Sequence, residues 1–186
     1  MPAGTVQPLQ LVGIVFTTAL IVLAWAARGR LNSFGLEFVH WNRTSSRTSI
    51  EALCFGALCG LAVSLLFQDL YPGTPFKWQD ALIGITLGPL IEETVFRGYL
   101  FGLAEWALHK RSSNARWIVG IAIAAIFALC HLPKAGITAL QIGVIFVMGV
   151  VYAWLRIKSN STTAPFLAHA AYNAVIFAAA AVLVQS

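Results

Sequence analysis

Apolar positions along the chain fall into long runs, separated by short polar segments. Six runs have the length of a membrane crossing, at about 9–27, 49–67, 79–108, 115–132, 137–155 and 164–184. A helix needs roughly 20 residues to cross the hydrocarbon core, so each run predicts a spanning helix. The third is too long for one straight crossing. Pro89 lies inside it, and a proline has no N–H to donate and its ring collides with the preceding turn, so a kink or break near Pro89 is expected. The fourth stops at His131-Leu132-Pro133. The sixth has Pro165 in its first turn, where a missing N–H costs little. Thr48-Ser49-Ile50-Glu51 has the spacing of a capping box at the start of the second.

The polar segments between the runs give an orientation. Arg28, Arg30, Arg43 and Arg47 follow the first run, Lys110, Arg111 and Arg116 the third, and Arg156 and Lys158 the fifth. The alternate loops hold only Lys77 and Lys134, beside Asp69 and Asp80. Six crossings with both termini outside satisfy the positive-inside rule. The run at 11–27 has no basic segment before it, so it reads as a first membrane helix and not as a signal peptide. Residues 31–41 carry Phe34, Phe38 and Trp41 at helical spacing, which suits a helix lying in the interface or a loop with aromatic anchors.

Composition agrees. The 186 residues are 59% hydrophobic and 10% charged, against roughly 25% charged in a soluble domain. The fold class expected is an all-α, polytopic membrane bundle forming a single domain over residues 1–186. The net charge of +5 sits in loop clusters and forms no stripe, so nucleic acid is not a partner. Cys54, Cys59 and Cys130 lie within apolar runs, where buried thiols are expected. Gly56-x-x-x-Gly60, Gly84-x-x-x-Gly88 and Gly98-x-x-x-Gly102 put small residues on single helix faces for close packing.

Against this background a few polar residues stand out. Gly88-Pro89-Leu90-Ile91-Glu92-Glu93-Thr94-Val95-Phe96-Arg97 places two carboxylates and a guanidinium inside the third run. An ionisable group near mid-bilayer costs on the order of 2.5–3.5 kcal/mol on insertion scales. Residues four apart share a helix face, so Glu93 and Arg97 are natural partners. Glu92, turned about 100° away, lacks that partner. Phe127 and His131 share a face in the fourth run, and His169 and Asn173 share one in the sixth. At about 1.5 Å of rise per residue, these groups fall in overlapping layers of three helices.

Taken singly, each group has an ordinary explanation: an internal salt bridge, a hydrogen-bonded core histidine, an asparagine joining two helices. Together they are the equipment for water attack on an amide. A carboxylate and a histidine can activate water, and a second histidine and an amide can stabilise an oxyanion. The same Glu and His residues could instead bind zinc or another divalent metal, though no HExxH motif is present. A serine triad is disfavoured, because Ser64 lies in no GxSxG turn and Asp69 and Asp80 belong to an outer loop.

Glu92-Glu93-Thr94-Val95-Phe96-Arg97 fits EExxxR, Phe127 to His131 fits FxxxH, and His169 to Asn173 fits HxxxN. In this order, over roughly residues 78–178, the chain resembles the CPBP (Abi) family. That family includes the CAAX prenyl-protein endopeptidases and bacterial proteins linked to bacteriocin processing and self-immunity. No motif position departs from the pattern, although the chain has fewer spans than CAAX endopeptidases typically have.

The resemblance implies an intramembrane glutamic endopeptidase with no cofactor, acting on a membrane-anchored protein or peptide. It implies a multi-pass protein of a cell membrane, the inner membrane of a prokaryote. Glu92 and His131 would activate water, His169 and Asn173 would stabilise the oxyanion, and Glu93, Arg97 and Phe127 would support them. Residues 78–178 would form the catalytic core, with 1–67 adding two helices and a basic interfacial loop. The rival readings are a metal-dependent protease built from the same residues, a non-catalytic immunity or scaffold protein, and a transporter with a buried proton-relay carboxylate.

Overall fold

The computed structural model describes residues 44–67, 77–108, 113–134 and 136–183. The run at 9–27, Arg28, Arg30 and Arg43 after it, the interfacial stretch 31–41, and Asp69, Lys110 and Arg111 lie outside the described residues. The described elements are all helical. They are α1 (Ser46–Leu66), α2 (Trp78–Ile85), α3 (Leu87–Glu93), a π-helical segment (Thr94–Leu100), α4 (Phe101–Ala107), α5 (Ser113–Leu129), α6 (Ala139–Ser159) and α7 (Thr163–Leu183).

Among the described residues, three helices are long and apolar enough to cross a membrane, at Ser46–Leu66, Ala139–Ser159 and Thr163–Val182. Asn114–Leu129 is apolar but shorter. The third run is not one rod but four helical pieces. Its break falls where Pro89 dictates: the residue four before it is Ile85, and α2 ends there. α3 restarts after Thr86 with Pro89 in its first turn. The chain is thus a multi-span helical membrane bundle, and its described part holds three helices of full membrane length.

One expected helix start shifts. α1 begins earlier, capped by Ser45, whose side chain accepts from the Thr48 N–H at 3.2 Å. Glu51 is not part of a cap; it pairs with Arg47 at 2.8 Å. The capping box occurs instead at α6, between Thr138 and Gln141. Asp80 lies in the first turn of α2, not in a loop.

α1 and α7 pack along most of their length, and glycines make this possible. A Cβ at Gly56 would come 2.1 Å from the Ala168 carbonyl oxygen, and one at Gly60 2.8 Å from that of Tyr172. This is the close approach that the Gly56–Gly60 spacing predicts. At Gly84 a Cβ would come 2.5 Å from the Phe177 ring, so that ring would have to move. Gly56→Ala is expected to destabilise the bundle by about 1–3 kcal/mol, as overpacking does, and to lower the thermal midpoint. Gly143→Ala, with nothing within 4 Å of the new methyl, should leave the midpoint unchanged or raise it.

The core between α1, α6 and α7 holds Ala52, Met148, Tyr152, Leu155, Ala164 and Ala168. Outward-facing positions are apolar as well: Ile50, Leu58, Leu65, Ile118, Val147 and Val182 are each more than half exposed on the bundle. That is the surface of a protein solvated by lipid, because water offers such a surface no compensation. It also corrects the reading of the thiols. Cys54 and Cys130 are exposed on the bundle and Cys59 is half-buried. In a membrane helix an apolar neighbourhood points outward as readily as inward.

Candidate active site

Glu92 and Glu93 close α3, and the π-helical segment begins at the next residue. π-helical turns are rare and concentrate at functional sites. The two neighbouring carboxylates take different surroundings, because successive residues on a helix point about 100° apart. Glu93 is fully buried. Its Oε1 accepts from Arg97 Nη1 at 3.1 Å and from His169 Nδ1 at 2.9 Å. Arg97, also fully buried, donates through Nη2 to the Gly149 carbonyl at 3.0 Å. The guanidinium lies 4.5 Å from the centroid of the Phe127 ring, a cation–π contact strengthened by the absence of water.

Glu92 is looser, with its side chain 31% exposed. Its Oε2 lies 3.8 Å from His169 Nε2, too far for a hydrogen bond and close enough for a small group to bridge. His169 therefore has one carboxylate at each ring nitrogen. Its ring plane is set by Tyr152, stacked at 4.6 Å and 20°, and by the Phe127 ring, edge-on at 6.1 Å.

His131 is not in an apolar helix as expected, but in the turn just after α5, its N–H bonded to the Ala128 carbonyl at 3.0 Å. Its ring still meets Phe127, with centroids 4.8 Å apart. Nδ1 lies 2.8 Å from the Phe127 carbonyl oxygen. A carbonyl only accepts, so Nδ1 carries the hydrogen. In the neutral ring, Nε2 is then a bare acceptor. Among the described residues, Glu92, Lys134 and His169 are charged or titratable groups within electrostatic reach of this imidazole.

Asn173 is one turn beyond His169 on α7 and makes a different contact: Nδ2 donates to the Gly84 carbonyl at 2.7 Å. The structure thus gathers Glu92, Glu93, Arg97, Phe127, His131 and His169 around one another, and ties Asn173 to the end of α2. Among the described residues, no three His, Cys, Asp or Glu side chains are arranged to hold a metal ion. Glu93 Oε1 is engaged by Arg97 and His169.

α6 contributes residues that the motifs do not contain. Gly149 receives Arg97, Tyr152 stacks on His169, and Arg156 Nε donates to the Arg97 carbonyl at 3.0 Å. Arg156 is not a loop cation, as the charge pattern suggested. It is buried within α6, ion-paired with Glu105 at 3.7 Å and bonded through Nη1 to Asn160 Oδ1 at 3.2 Å. Positions 149, 152 and 156 are spaced three and four apart, so they share one helix face. That spacing was the available signal.

Residues 74–175 match the family model described as Type II CAAX prenyl endopeptidase Rce1-like. The match covers more than half of the chain and runs from before α2 into α7, past Asn173. No curated protein and no solved structure matches the chain.

Proposed function

Because the chain belongs to the Type II CAAX prenyl endopeptidase Rce1-like family of membrane proteases, we propose that it is an intramembrane endopeptidase that cuts a membrane-anchored protein or peptide. Its finer placement, among the glutamic endopeptidases of the CPBP (Abi) kind, rests on the three motifs. One observation carries the reading: Glu93 is locked to Arg97 and His169 Nδ1, while Glu92 faces the other nitrogen of His169 at 3.8 Å without a hydrogen bond.

Glu92 removes a proton from water, with His131 Nε2 accepting a hydrogen bond from the same water. The hydroxide adds to the scissile carbonyl carbon, and the carbonyl oxygen becomes an oxyanion. His169 in its imidazolium form donates to Glu93 through Nδ1 and to that oxyanion through Nε2. With the water's proton on Glu92, the oxyanion and the Glu93 carboxylate face the Arg97 guanidinium and the imidazolium. Asn173 supplies a second N–H. Collapse of the oxyanion breaks the C–N bond, and the proton held by Glu92 passes to the leaving amine. The catalytic core is residues 78–178 of a single membrane domain, and the substrate is a tail, leader or sorting segment anchored in the same bilayer.

The test is comparative membrane proteomics of a host whose only copy carries Glu92→Gln, against the wild type. Membrane-anchored proteins with an uncut terminal extension should accumulate in the variant. Identical terminal peptides in the two strains would remove the protease reading and leave the non-catalytic one.

A further inference from the structure

An asparagine amide has a particular weakness as an oxyanion donor. Its two ends have nearly the same shape, and half a rotation presents Oδ1 in place of Nδ2. A lone pair would then face the developing negative charge. Some neighbour has to choose the end. Here the neighbour is backbone: Asn173 Nδ2 donates to the Gly84 carbonyl at 2.7 Å. A carbonyl oxygen cannot donate, so it selects the N–H end of the amide. The second hydrogen on the same nitrogen is left for a substrate.

The Gly84 carbonyl is available because of the helix break. In an unbroken helix it would accept from the amide of residue 88. α2 stops at Ile85, four residues before Pro89, and the carbonyls of a helix's last turn lose their intrahelical donors. The approach to α7 is close because Gly84 carries no side chain. A Cβ there would lie 2.5 Å from the Phe177 ring, one turn beyond Asn173.

We infer that the Pro89 break frees the Gly84 carbonyl to act as the positioning group for the Asn173 amide, fixing which end of it meets the substrate. The inference rests on the oxyanion role proposed above. Pro89 and Gly84 touch no reacting atom; they act through Asn173.

The experiment uses the full chain in lipid nanodiscs, with ¹⁵N-labelled asparagine side chains and an internally quenched peptide ending in a farnesylated CAAX sequence. Pro89→Ala restores an N–H in the break and lets the helix reclaim the carbonyls of α2. The Asn173 side-chain amide should lose its hydrogen-bonded, exchange-protected proton, while the Asn114 and Asn160 signals stay in place as a check on folding. Turnover should fall about tenfold at unchanged KM, part of the roughly 10²–10³ that loss of an oxyanion donor costs. In an Asn173→Ala background, Pro89→Ala should cost nothing further.

An Asn173 amide signal that ignores Pro89→Ala overturns the inference, and this arm is read whether or not the peptide is cut. Losses that add fully in the double variant also overturn it, because Pro89 would then act by another route. Failure of the underlying reading looks different. Glu92→Gln or Asn173→Ala would then cut at the wild-type rate while the amide signal still responded to Pro89→Ala.

Discussion

Arg97→Met is expected to lower the stability of the bundle by about 3–5 kcal/mol, the cost of leaving one buried charge without its partner. Arg97 and Glu93 are both at 0% exposure, so no solvent can take over when the guanidinium is removed. Its two arms do separate work: Nη1 holds Glu93 at 3.1 Å and Nη2 holds the Gly149 carbonyl at 3.0 Å. Loss of the side chain leaves the Glu93 carboxylate with His169 Nδ1 as its remaining partner, and takes the side-chain donor from the Gly149 carbonyl. It also empties the space over the Phe127 ring that the guanidinium fills. Arg97→Lys should rescue little, since one ammonium cannot reproduce a planar fork reaching two acceptors. The second variant that decides the matter is Arg97→Met with Glu93→Leu. Removing both charges is often close to neutral where removing one is not, so the pair should recover most of the lost unfolding midpoint while remaining inactive. A wild-type midpoint for Arg97→Met alone would mean that the buried pair does not hold the bundle.

The parts of this arrangement that follow helical periodicity were legible in the sequence. Glu93 with Arg97 and Phe127 with His131 are four apart, and the structure has both contacts. Gly56 and Gly60 meet α7 as their spacing requires. The break before Pro89 follows from the chemistry of one ring. Contacts that depend on where one helix lies against another were not legible. Nothing local to Asn173 names the Gly84 carbonyl, 89 residues away in the chain. Arg156 stands near the end of an apolar run, where most cations are interfacial. Only packing reveals that it turns inward to Glu105 and the Arg97 carbonyl. Gly149 takes part through its backbone, which every residue type shares. The thiols were misread for a related reason: hydropathy measures distance from water, and in a membrane the lipid face and the core score alike.

The neighbouring carboxylates should answer the same substitution in opposite ways. Glu92→Gln is expected to leave the unfolding midpoint where it is. The side chain is 31% exposed, and its nearest described polar partner, His169 Nε2, stands at 3.8 Å, so little folding energy depends on its charge. Turnover should nevertheless fall by about 10²–10⁴, the usual contribution of a general base, because a glutamine amide cannot take a proton from water. Glu93→Gln keeps the shape of a fully buried side chain but removes the negative charge from between Arg97 and His169. Hydrogen bonds to charged groups are worth about 1.5–3 kcal/mol each, and two are weakened here, so the midpoint should drop. Turnover should fall with it, since His169 loses the anchor that aims its second nitrogen at the reacting oxygen. Thermal midpoint and kcat measured side by side on the two variants separate the roles. A base that only reacts costs rate alone, and a brace that holds the base's neighbours costs rate and fold together. Equal loss of midpoint in both variants would mean that Glu92 is as firmly held as Glu93, and the assignment of the water-activating carboxylate would have to be reversed or withdrawn.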